Sequence, residues 1–141
     1  MVNLLRVPAT IESLELLRRF IVSNVKEHAV PLSLVSRIEL VLEELVVNAT
    51  EYAYNGAEGD IELECRVESG SQQEADKFCF CLRDWSEPFN PLEYDGVPFV
   101  SDIEGRLAGG LGLLFAREFS DTRTYRRVDD CNEICFCFTL S

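Results

Sequence analysis

The chain has 141 residues, 47% apolar and 27% charged, which are globular rather than disordered values, and its length suits one domain over residues 1–141 with a single core. A formal net charge of −12, from 13 Lys+Arg against 25 Asp+Glu, argues against nucleic acid as a partner, because neutralising phosphates needs clustered cations. No apolar run approaches the roughly 18 residues of a membrane span, and no basic segment with an apolar stretch and cleavage site opens the chain. The cytoplasm is therefore the expected compartment.

In chain order, Asn3–Val7 reads as a short strand closed by Pro8. Thr10 stands where a helix N-cap belongs, and Ile11, Leu14, Leu17, Ile21 and Val25 then recur at helical spacing as far as His28. At that helix end His28 is expected to meet the last carbonyls. Pro31 and Ser33 open a second and longer helix reaching about Tyr54, with Leu34, Ile38, Val41, Leu42, Leu45 and Ala49 as its buried stripe. Glu44 and Asn48 sit four residues apart at the edge of that stripe, one turn above each other. A general base beside a ligand for a hard cation is one reason to build such a pair.

Ile61–Val67 alternates apolar and polar, the pattern of a half-buried strand, and a polar hairpin loop follows over Ser69–Glu74. Phe78–Leu82 reads as a central strand that ends at Arg83-Asp84, so Asp84 is a candidate ligand position. Residues 85–108 carry Pro88, Pro91, Gly96, Pro98 and Gly105 without periodicity; a loop this long in a small domain is commonly functional. Gly109-Gly110-Leu111-Gly112 precedes a short helix at Leu113–Phe119. Glycines there free the first-turn amides to face an anion, which suggests a phosphate site. The lysine of a Walker loop is absent. Tyr125–Val128 and Ile134–Thr139 form a terminal hairpin.

Six cysteines are present: Cys65, Cys79, Cys81, Cys131, Cys135 and Cys137. The two C-x-C pairs lie inside strand-like runs, unlike the turn-borne knuckles of zinc sites. At period two both members of a pair share one sheet face. They are expected to be small buried hydrophobes in a reducing compartment, with disulfide or metal roles as alternatives.

Taken together and in order, Glu44-Leu45-Val46-Val47-Asn48-Ala49 with Tyr52-Ala53-Tyr54, then Asp84-Trp85-Ser86-Glu87-Pro88-Phe89-Asn90-Pro91, then Gly109–Leu113, and last Asn132-Glu133 resemble the GHKL (Bergerat-fold) ATPase and kinase superfamily. Within it they are most similar to the anti-sigma-factor serine kinase branch. The resemblance implies an α/β two-layer sandwich, a mixed and mostly antiparallel sheet with helices on one face, and a lid at about 90–108. It implies ATP and Mg²⁺ as cofactors, with Asn48 as the Mg²⁺ ligand and Glu44 as the catalytic base toward a serine hydroxyl. Asp84 would accept from the adenine amine, with Ser86 beside it. Gly109, Gly110, Leu111 and Gly112 would lie along the phosphates, and Arg106 of the lid would reach one of them. Implied partners are an anti-sigma-factor antagonist protein, a sigma factor or similar target, and a second copy in a homodimer; neither nucleic acid nor membrane is implied. The family's Asp-x-Gly is here Asp84-Trp85-Ser86, so a module that sequesters a partner without phosphoryl transfer, with or without nucleotide, is the alternative.

Overall fold

The computed structural model describes residues 3–53, 58–88, 90 and 120–140. Strand β1 (Asn3–Pro8) leads through a 3₁₀ turn (Ile11–Ser13) into helix α1 (Leu14–Glu27), followed by helix α2 (Leu32–Val47). Then come strands β2 (Asp60–Glu68), β3 (Lys77–Asp84), β4 (Thr122–Val128) and β5 (Cys131–Thr139). The five strands form one sheet in the order β1-β2-β3-β5-β4, and all four ladders are antiparallel. This is the expected α/β sandwich, with no parallel pairing among the described strands.

The core follows from the two periodicities. Alternate residues of the central strands, Ile61, Leu63, Phe78, Phe80, Leu82, Phe136 and Phe138, turn toward the helices and are buried. Leu17, Ile21 and Val25 of α1 meet them, together with Leu34, Ile38, Val41, Leu42, Leu45 and Val46 of α2. Phe80 stacks at about 6 Å on both Phe136 and Phe138, which ties β3 to β5 on the helical side. Arg18 of α1 reaches Glu43 of α2 at 3.1 Å.

Local details depart from the expectations. Thr10 makes no side-chain bond to the backbone of the following turn; its hydroxyl lies 3.2 Å from that of Ser13. The first turn tightens to 3₁₀, and Ile11 is left exposed. The His28 side chain does not meet the α1 carbonyls. Its ring lies 6.3 Å from Phe78, and its buried Nε2 has no hydrogen-bond partner among the described residues; its backbone N–H closes the helix on the Asn24 carbonyl, and that of Ala29 donates to Lys26. Beyond Val47 the second helix continues as a π-helical turn, Asn48–Ala53.

The face of the sheet turned away from α1 and α2 holds the largest correction. Cys79 stands directly opposite Cys137, and Cys81 opposite Cys135, with Cα atoms 4.1 and 4.0 Å apart. Both pairs are disulfide-bonded, so these four are cross-strand bridges and not buried thiols. Only Cys65 and Cys131 are free. Cys65 fits the hydrophobic expectation: burial pushes its thiol up to about 12, with the Glu64 carboxylate adding to the effect. Next to the bridges runs a charged stripe one residue wide across four strands, Glu62-Arg83-Glu133-Arg126, each opposite the next and joined at 3.1, 2.7 and 2.8 Å. Such directly opposite pairs are the sheet counterpart of helical i,i+4 pairs.

Candidate functional site

The expected site residues that the structure describes fall in two clusters, one on α2 and one where the ends of β3 and β4 meet the start of β5. On α2, Glu44 and Asn48 are both half-buried. The Asn48 Nδ2 donates to the Glu44 backbone carbonyl at 2.8 Å, which fixes the carboxamide. Its Oδ1, the atom that ligates hard cations, takes no hydrogen bond from any described residue. Asn48 also opens the π-helical turn, a distortion of the ladder frequent at functional sites. Burial pushes the Glu44 carboxyl above its ordinary value, and the neighbouring Glu43 carboxylate adds to that. A carboxylate raised in this way is a stronger base.

At the strand ends, Asp84 closes β3 opposite Asn132 of β5. Three donors converge on one oxygen of its carboxylate. Oδ1 accepts from the Ser86 backbone N–H at 3.1 Å, from the Ser86 hydroxyl at 2.5 Å and from Asn132 Nδ2 at 3.0 Å. The first of these is an Asx turn, in which the side chain caps the backbone two residues on. Oδ2 is left as the acceptor not engaged by the described residues. Asn132 is itself buried and held on both ends: Nδ2 also donates to the Glu87 carbonyl at 2.9 Å, and Oδ1 accepts from the Tyr125 hydroxyl at 2.5 Å. Arg127 donates to the Ser86 carbonyl at 2.8 Å. Beside the cluster, Arg6 lies over the Trp85 ring at 4.2 Å.

Serine in place of the family's glycine finds a physical account here. Among the described non-glycine residues only Ala29 and Asp129 have positive φ, so the backbone at Ser86 does not need glycine. Its side chain is buried and spent on Asp84. Asn132 belongs to the motifs of the resemblance without a role there, and Tyr125 and Arg127 carry no sequence signal; the structure joins all three to the Asp84–Ser86 turn. A polar residue at a turn before a strand looks ordinary, and its partner Asp84 lies 48 residues away.

The structure thus joins Glu44 to Asn48 and Asp84 to Ser86. The remaining expected site residues, Arg106, Gly109, Gly110, Leu111 and Gly112, lie outside the described residues, as does the expected lid beyond Asn90.

The family model for the histidine kinase-like ATPase domain matches residues 7–138. The chain belongs to that family of ATPase domains, which generally bind ATP with Mg²⁺. No curated protein sequence matches it. No described helix is long and apolar enough to cross a membrane.

Proposed function

We propose that this chain is an ATP- and Mg²⁺-dependent protein serine kinase of the anti-sigma-factor type. It would phosphorylate a serine of an antagonist protein and, when that antagonist is absent, sequester a sigma factor or similar target. We take residues 1–141 as one cytoplasmic domain, with its lid at about 90–108, acting as a homodimer. The observation that carries the reading is the Asp84 carboxylate, held through one oxygen by Ser86 and Asn132 while the other has no partner among the described residues.

An acceptor fixed in this way suits the exocyclic amine of adenine and opposes guanine, which has a carbonyl at that position. Asn48 would hold Mg²⁺ through Oδ1, because its Nδ2 is already committed to the helix. The metal supplies neutralisation of phosphate charge. Glu44, with its raised carboxyl, would take the proton from the serine hydroxyl as that oxygen becomes the nucleophile. Gly109, Gly110, Leu111 and Gly112 would offer backbone amides to the phosphates, with Arg106 close by.

The test is transfer of labelled phosphate from ATP to a cognate antagonist in the presence of Mg²⁺. Transfer that depends on Glu44 is expected. No transfer by the wild type, or undiminished transfer by Glu44→Ala, would overturn the kinase reading in favour of a sequestering module.

A further inference from the structure

The two bridges on the face turned away from α1 and α2 have different charged neighbours, although they lie side by side. Arg66 crosses to Cys81 and places its guanidinium 3.2 Å from that sulfur. Glu68 does the reverse at the other bridge: its carboxylate and the sulfurs of Cys79 and Cys137 all lie within 4.8 Å of one another. A cation beside sulfur favours the thiolate, whereas a carboxylate disfavours it and repels an incoming anion.

Access differs as well. A cavity of about 520 Å³ on this face is lined by Arg66, Arg83, Arg126, Glu64, Glu133 and, alone among the four bridged cysteines, Cys135. Its three arginines are ion-paired with these two carboxylates and also with Glu62 and Glu68. Each bridge has one fully buried sulfur, Cys81 or Cys79, and one slightly open member, Cys135 or Cys137, so it is the cavity at Cys135 that sets the Cys81–Cys135 bridge apart.

We propose that the Cys81–Cys135 bridge is a thiol–disulfide exchange site for a small thiol of the glutathione class, entered through this cavity. The thiolate of the incoming molecule attacks Cys135 Sγ, and a new S–S bond forms there. The Cys81–Cys135 bond breaks, and its electron pair leaves on Cys81 Sγ beside Arg66. A second molecule of thiol then attacks its own kind in the mixed disulfide. That releases Cys135 as a thiolate and yields the small symmetrical disulfide, so two thiols are oxidised as one bridge is reduced. A low leaving-group pKa speeds the first step, which is the part Arg66 plays. The Cys79–Cys137 bridge, beside Glu68, remains closed.

The experiment uses the full chain in its oxidised form, incubated with glutathione and quenched with an alkylating agent at intervals. Peptide mass spectrometry then follows each cysteine. Cys81 and Cys135 are expected to open first, with the mixed disulfide on Cys135. Arg66→Gln should slow that opening by roughly threefold or more, and because it also leaves the Glu68 carboxylate without its Arg66 partner, it should not speed Cys79–Cys137. Glu68→Gln should speed the opening of Cys79–Cys137. A variant that only loosened the fold would speed both bridges together, so a general loss of structure is distinguishable. Equal rates at the two bridges, glutathione captured on Cys81, or faster opening of Cys81–Cys135 in Arg66→Gln alone would overturn the proposal. None of these outcomes depends on nucleotide binding.

Discussion

Asn132 Nδ2 donates to Asp84 Oδ1 at 3.0 Å, across the register pair that ends the β3–β5 ladder. Asn132→Ala removes this bond, those to Ser86 and Glu87, and the acceptor of the Tyr125 hydroxyl. Buried partners left unpaired cost about 1–3 kcal/mol of stability. ATP affinity should fall roughly tenfold as Asp84 loses its fixed orientation, about 1.4 kcal/mol. Tyr125→Phe removes one bond only, and its effects should be in the same direction and smaller. Thermal melts and nucleotide titrations of the two variants check the order.

Glu44→Gln separates chemistry from binding. Phosphoryl transfer should fall by about 10²–10⁴-fold with little change in ATP affinity. For the wild type, transfer should decline as pH falls through the Glu44 value, on a limb above 4.5, since the group is raised from there. Stability moves the other way. A raised carboxyl disfavours its ionised form in the folded state, so Glu44→Gln should melt higher than wild type at neutral pH. That advantage should vanish below the unfolded value near 4.5. A pH series of rates and melting temperatures reads both.

How much of this the sequence carried depends on whether the interaction is local. The α2 stripe from Leu34 to Ala49 and the alternation of Ile61–Val67 were legible, because helical and strand periods are written into neighbouring residues. Register between strands is not. Nothing near Cys79 says that Cys137 stands opposite, 58 residues on, and so the bridged cysteines read as hydrophobes. For the same reason the stripe Glu62-Arg83-Glu133-Arg126 was invisible. Of the candidate site, Glu44, Asn48 and Asp84 were named from spacing and resemblance. The positioning of Asp84 by Asn132 depended on the β3–β5 register. The π-helical turn at Asn48 has no sequence signal that we identify.

Glu133 tests the charged stripe. Burial alone would push its carboxyl up, but hydrogen bonds from Arg126 and Arg83 outweigh this and hold it below the usual 4.5. A depressed carboxyl stabilises the fold above the unfolded value, and that contribution is lost as pH falls through the folded one. Glu133→Gln should therefore cost about 2 kcal/mol at pH 7 and approach the wild type in acid below 4.5. Denaturant unfolding at several pH values measures the difference.

The bridges should not be additive. Each closes nearly the same loop, with sequence separations of 58 and 54, so one alone captures most of the loop-closure entropy. Removing Cys81–Cys135 by paired alanines should cost little while Cys79–Cys137 remains. Removing both should cost about 4 kcal/mol. Unfolding of the two paired variants and the quadruple variant under non-reducing conditions checks the inequality.

The most direct test of nucleotide binding at Asp84 uses Trp85, the single tryptophan of the chain and its immediate neighbour. Titrating the wild type with ATP and Mg²⁺ should give a saturable change in Trp85 fluorescence. GTP should bind at least about tenfold more weakly, and Asp84→Ala should lose the preference for ATP. Absence of saturable ATP binding by the wild type, or an unchanged preference for ATP over GTP in Asp84→Ala, would contradict it.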